Sequence, residues 1–270
     1  MKIITSINAK GGCGKSTLAM NIAAGLGLKG FKTLLIDMDP QAQVTQWLGL
    51  GDGLQNDRTI VPVLAGRAQL ADVVQATEFE NLSFVAAAIG LEDFGRKITE
   101  AQGYETIFAQ ALTAGGAPNY DFLVIDSPNQ ISPVMENAIY PTDVFVVPFE
   151  GPQAVRSYAN FFKLVLEIRP DQAYRVLHVL NDVSKQEGLR KAVVEILDAA
   201  GLAIARTEIR TCGWLAKVSE HRGSIFHYRP HSNGAEDVGK LVDELLDVTG
   251  MSTVEKVQHA ELPVEPETAV

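Results

Sequence analysis

Three glycines and two lysines crowd the run Ala9-Lys10-Gly11-Gly12-Cys13-Gly14-Lys15-Ser16-Thr17. Glycines let successive backbone N–H groups turn inward around an anion, and a helix starting near Lys15 adds its positive N-terminal end. In a Gly-Lys-Ser ending, the lysine lies along the β- and γ-phosphates of a nucleotide while the serine hydroxyl ligates Mg²⁺. Lys10, Gly11, Gly12, Cys13, Gly14, Lys15, Ser16 and Thr17 are therefore the expected phosphate-binding residues, with Ser16 also a metal ligand. Two carboxylate sites complement them. Thr33-Leu34-Leu35-Ile36-Asp37 leads into Met38-Asp39-Pro40-Gln41, and Tyr120-Asp121-Phe122-Leu123-Val124-Ile125-Asp126 is an aliphatic run closed by an acid. A carboxylate at the end of a buried strand can hold Mg²⁺ directly or through water, which makes Asp126 the second expected metal ligand. Asp39 could equally open an Asx turn before proline.

These groups need strands and helices that deliver them to one edge. Lys2-Ile3-Ile4-Thr5-Ser6-Ile7 is a short β-branched run, and Leu18, Ala19, Ile22, Ala23 and Leu26 then follow helical spacing up to Gly30. The stretch from Gly49 to Gln69 reads as a loop, followed by a short helix at Leu70, Val73 and Val74 and a strand at Leu82–Ala86. Asp143–Pro148 and Arg175–Asn181 read as further buried strands, separated by a helical stretch from Gln153 to Ile168. Ala203–Ile209 is the last strand candidate, and Ala235–Val248 an amphipathic final helix with Val238, Leu241, Val242, Leu245 and Leu246 on one side. Strands alternating with helices predict an α/β fold with a single doubly wound, mostly parallel sheet flanked by helices.

The strict pattern G-x-x-x-x-G-K-[ST] fails because Ala9 stands where it requires glycine. The run fits K-G-G-x-G-K-[ST], the deviant Walker A form, and so resembles the ParA/MinD family of P-loop ATPases. Asp37-Met38-Asp39-Pro40-Gln41 matches that family's first switch region, although Ala42 and Gln43 replace its usual Gly-Asn. Asp126 matches its Walker B acid, with Asn129 where a second proline is frequent, and Gly234-Ala235-Glu236 keeps part of its C-terminal signature. The resemblance spans residues 1–250 and implies ATP and Mg²⁺ as cofactors. It implies three catalytic residues: Lys15 on the bound phosphates, Asp39 orienting the attacking water, and Lys10 reaching the nucleotide of the opposite subunit in an ATP-bound homodimer. Asn181 falls where relatives contact adenine. Arg210, Lys217, Arg222 and Arg229 fall where relatives bind DNA non-specifically. A solvated loop with snorkelling arginines is the alternative for those four. The implied function is partition or positioning of a cargo with a ParB-like or adaptor protein that stimulates a weak hydrolysis.

Composition narrows the classes. The 270 residues are 46% hydrophobic, enough for one α/β domain over residues 1–250. The formal charge of -10 argues against a nucleic-acid binder that works by overall charge, yet Asn181–Lys240 carries nine Lys/Arg against eight Asp/Glu. Cys13 and Cys212 form neither a disulfide framework nor a C-x-x-C site, which disfavours an iron-sulfur-linked ATPase and suits a reducing cytoplasm. No apolar run approaches the ~20 residues of a membrane span. The stretch after Met251 is acidic and proline-containing, predicted to be disordered and unable to bind anionic lipid as a MinD-like basic helix would. A cytoplasmic, nucleoid-associated protein without membrane partners is the expectation.

Overall fold

The computed structural model describes residues 1–50, 56–88, 90–99, 102–116, 119–170, 173–183, 187–221 and 223–251. Arg222 and the acidic stretch from Ser252 onward lie outside the described residues. In chain order, β1 (Lys2–Ser6), α1 (Lys15–Leu28), β2 (Thr33–Asp37) and α2 (Gln43–Trp47) build the first half-turn of the fold. Short elements follow: α3 (Ile60–Leu64), α4 (Leu70–Val73), β3 (Gln75–Ala76), β4 (Leu82–Val85), α5 (Gly90–Ile98) and α6 (Ile107–Ala111). The chain continues through β5 (Phe122–Asp126), α7 (Pro133–Ile139), β6 (Val144–Phe149), α8 (Gly151–Ile168), β7 (Arg175–Leu180), α9 (Glu187–Ala199), α10 (Ile225–Tyr228) and α11 (Asn233–Thr249).

One seven-stranded sheet has the order β3-β4-β2-β5-β1-β6-β7, parallel except for the β3–β4 pair. Its central strands are buried along nearly their whole length because both faces of the sheet are covered. Successive residues serve opposite cores: Val144 and Val146 join α1 and α11, whereas Phe145 and Val147 join α8 and α9. β1 lies between β5 and β6, where the chain's winding reverses, and the crevice beyond its carboxyl end is where open α/β sheets take ligands. The phosphate-loop candidate leaves β1 at that point.

Two expectations need correction. Within Gly49–Gln69 the structure contains α3, started by the Thr59 side chain, which accepts from Val61 N–H; four of its five residues are buried. Ala203–Ile209 is not a strand. Ala205 N–H and Ile209 N–H still bond to the carbonyls of His178 and Leu180 at 2.9 and 2.8 Å. The intervening N–H groups of Arg206 and Thr207 go instead to the Glu244 carboxylate at 2.8 and 3.0 Å, so no continuous ladder can form.

Candidate functional site

Gly14 ends the loop with φ 94°, and α1 begins at the next residue. A side chain there would be doubly excluded, by that left-handed backbone and by the Asn181 amide, which lies 2.3 Å from where a Cβ would sit. The same Asn181 amide donates to the Cys13 carbonyl at 2.8 Å, tying the end of β7 to the loop. Beneath the loop, Ser6 Oγ donates to the Lys15 carbonyl at 2.9 Å. The Lys10 carbonyl draws the loop together by accepting from the Cys13 thiol at 3.2 Å and from Lys15 Nζ at 3.1 Å. Burial pushes the Cys13 thiol up from its ordinary value, so it is a packed small side chain and not a nucleophile.

Lys10 Nζ turns away from the loop to the carbonyl and carboxylate of Glu150, at 3.0 and 3.4 Å. Both side chains of this pair are partly exposed.

The acids converge as the strand register dictates, with Asp37 and Asp126 directly opposite on adjacent β2 and β5. Asp37 is fully buried and satisfied: Oδ1 accepts from Asp39 N–H at 3.0 Å, and Oδ2 from the Thr45 N–H and hydroxyl at 3.0 and 2.8 Å. Burial pushes its pKa up to about 7. Asp126 is also fully buried, but neither of its oxygens completes a hydrogen bond among the described residues. Burial first, then the Asp37 charge, holds its carboxyl well above the ordinary range; the nearby Ser16 hydroxyl and Lys15 ammonium oppose them. Asp39 is pushed up by burial and eased by its hydrogen bond from Gln41 N–H at 2.9 Å. That bond is the Asx turn the proline suggested.

An orphaned, buried carboxylate beside a serine hydroxyl, two more acids and one lysine is a donor set that a divalent cation fits. Oxygen ligands and surplus negative charge are what Mg²⁺ requires. Ser16 and Asp126 are the two residues that could hold it.

Ala42, after the switch, adopts φ 51° and ψ 40°, the left-handed region in which the family usually has glycine. A Cβ there costs about 1–2 kcal/mol, partly offset by the smaller entropy that alanine loses on folding. Ala42→Gly is expected to stabilise the fold by about 0.5–1 kcal/mol, read as a higher denaturant midpoint at unchanged slope. A lower midpoint would mean that the alanine methyl packs well enough to outweigh the strain.

A cavity of about 170 Å³ opens from Gly12, Gly14 and Thr17 toward Asn181, Ile209 and Cys212. It extends from the phosphate loop to the end of β7. A second cavity, of about 260 Å³, runs from Asp39 to Asn129 and α5.

The three described basic residues, Arg210, Lys217 and Arg229, do not form one cluster. Arg229 stacks 3.9 Å over the Trp214 ring, and Lys217 lies 5.7 Å from the same ring and 3.9 Å from Glu220. Arg210, expected beside them, is occupied elsewhere: its Nε and Nη2 bond to the buried Asp237 carboxylate at 2.8 and 2.6 Å, and Nη2 to Glu236 at 2.9 Å. Sequence reasoning missed Asp237, Glu244 and Glu150. The signal for the first two was the apolar stripe of α11, whose phase they share with Leu241.

A parallel sheet that ends in a glycine-rich loop, a helix N-terminus and a strand-end acid defines a P-loop nucleotide-binding protein. Residues 1–177 match the family model described as an AAA domain. The chain belongs to the ParA/MinD family of partition ATPases. The sporulation initiation inhibitor protein Soj of Bacillus subtilis is 29% identical over 250 residues, 90% of this chain and 98% of its own. Among solved structures, a putative plasmid partition protein of Borrelia burgdorferi B31 bound to AMPPNP superposes with TM-score 0.78 at 22% identity, covering 92% of this chain and 99% of its own. The septum site-determining protein MinD of Pyrococcus horikoshii, complexed with Mg-ADP, gives 0.74 at 22%, covering 92% and 97%. These two likenesses are of fold. Among the described residues no helix is long and apolar enough to cross a membrane.

Proposed function

We propose that the protein hydrolyses ATP, dimerises in the ATP-bound state, binds DNA without sequence preference as a dimer, and positions a cargo with a partner that stimulates hydrolysis. The observation that carries the ATPase reading is Asp126, buried and unpartnered beside Ser16 and Lys15 at the foot of the loop. Membership of the ParA/MinD family of partition ATPases supports the partition reading, and the AMPPNP and Mg-ADP complexes of the two structural neighbours support the choice of ligand.

The glycine-loop N–H groups and Lys15 hold the phosphates. Ser16 and Asp126 would hold Mg²⁺, which supplies positive charge against the phosphates as the γ-phosphoryl departs. Asp39, whose pKa burial raises and whose carboxylate lies at the ligand edge of the sheet, accepts the proton of the attacking water. Asn181 braces the loop and lines the route to the base. Lys10 leaves Glu150 and meets the nucleotide of the other subunit.

Asp39→Ala is expected to bind ATP and dimerise as the parent does while hydrolysing it at least ~100-fold more slowly, the lower end of what a positioned base contributes. Parental turnover in phosphate-release assays would leave Asp39 as a turn residue only.

DNA binding falls to Lys217 and Arg229, with Arg222 outside the described residues. Each dimer then offers about four phosphate contacts, and log affinity should fall against log salt with a slope of about -3 to -4. Retention on unrelated duplex DNA at rising salt, with ATP and with ADP, tests the reading. Binding in the ATP state alone agrees with it; equal or absent binding in both states would point to a protein or lipid surface.

A further inference from the structure

We infer that Asp237 is a positioning residue for the nucleotide. It holds the strap Ile209–Ala216 as the far wall of the cavity that starts at the phosphate loop, and Arg210 belongs to that wall and not to a DNA face. The inference rests on the nucleotide-binding reading above.

The upstream end of the strap follows the chain beyond β7: Ile209 N–H bonds to the Leu180 carbonyl at 2.8 Å, Val183 N–H to the Ile209 carbonyl at 3.0 Å and Thr211 N–H to the Val183 carbonyl at 3.2 Å. Past Thr211 its next backbone bond is the local Leu215 N–H to Cys212 carbonyl at 3.0 Å. From the other side it is held by α11. Asp237, 3% exposed, accepts the Arg210 N–H on Oδ2 at 2.9 Å and binds the Arg210 guanidinium with both oxygens. Seven residues on, the same face presents Glu244, 5% exposed, which takes the Arg206 and Thr207 N–H groups just upstream. Two buried carboxylates thus take the N–H groups that the pairing with β7 and the residues after it does not reach. Charged acceptors make stronger bonds than carbonyls do, and leaving the Arg210 N–H unpaired would be costly.

Packing points the same way. A Cβ on Gly234, in the first turn of α11, would come within 2.9 Å of both Cys212 Sγ and Leu215 Cγ. The backbone of α11 therefore lies directly behind two residues of the wall. Ile209, Arg210, Cys212, Leu215 and Ala216 all face the cavity that begins at Gly12 and Gly14. At the loop end the cavity meets phosphates; the strap meets whatever the phosphates carry, the sugar and base of a nucleoside triphosphate. Tightening the strap should therefore favour the nucleoside portion and leave the phosphate portion untouched.

The test compares ATP with inorganic tripolyphosphate, each with Mg²⁺, by titration calorimetry on the full chain. Asp237→Ala should weaken ATP about tenfold, as expected for losing one buried charge-assisted bond, and leave tripolyphosphate within about twofold. Asp237→Asn, which keeps an acceptor for the Arg210 N–H, should weaken ATP by only about threefold and serves alone if the alanine variant does not fold. Unchanged ATP affinity, or an equal loss for both ligands, overturns the assignment. A parent protein that binds tripolyphosphate as tightly as ATP would instead overturn the nucleotide reading beneath it.

Discussion

Lys15→Ala is expected to bind ATP two to three orders of magnitude more weakly than the parent and to hydrolyse none at a measurable rate. Lys15 is only 5% exposed, and its ammonium donates to the Lys10 carbonyl at 3.1 Å, which keeps it against the phosphate loop. Hydrogen bonds to charged groups are worth about 1.5–3 kcal/mol each, and a lysine bridging two phosphates makes at least two. Together they come to about 3–6 kcal/mol, and the lower part of that range, about 3–4 kcal/mol, corresponds to the fall in affinity. The effect should not come from unfolding. Removing one positive charge from beside three buried acids destabilises the apo protein modestly, and a thermal scan of the free variant separates the two causes. Calorimetric affinity for ATP within threefold of the parent would refute the phosphate-loop assignment.

The second large effect belongs to Lys10, which an ordinary phosphate loop lacks. In the single chain it bonds to Glu150, with side chains 26% and 38% exposed. Pairs so exposed contribute about 0–1 kcal/mol, so Lys10 is released at small cost when a better anion arrives. The γ-phosphate of a second subunit is such an anion. A positive charge supplied in trans is worth about 10³–10⁵ in rate when an arginine does it. Lys10→Ala should keep the ATP affinity of the monomer within a few fold, lose ATP-dependent dimerisation, and hydrolyse about 10³-fold more slowly than the partner-stimulated parent. Normal dimerisation by the variant would reduce Lys10 to a surface residue at the edge of the loop.

Much of this was legible in the residues. The strands β2, β5, β6 and β7 announce themselves because a parallel sheet covered on both faces needs unbroken aliphatic runs, and acids at their ends mark the ligand edge. The apolar stripe of α11 was equally plain, and Val238, Leu241, Val242 and Leu245 are all fully buried. What sequence could not supply was partnership. Ala203–Ile209 has the composition of a strand, yet the N–H groups of Arg206 and Thr207 in its middle are claimed by Glu244 from a helix far downstream. Charged residues on a helix are ordinarily read as its solvated side. Arg210 was grouped with the DNA-binding candidates by the family resemblance, which says nothing of the buried Asp237 carboxylate that its guanidinium meets. The left-handed Ala42 was hinted at only by the glycine that relatives use there, and α3 is too short for its periodicity to register.

The account stands or falls on whether ATP joins two chains. Light scattering on the purified protein with Mg²⁺ and a non-hydrolysable ATP analogue should give twice the 29.2 kDa of one chain, and with ADP the single-chain mass. The same mass in both nucleotide states, whether one chain or two, would contradict it.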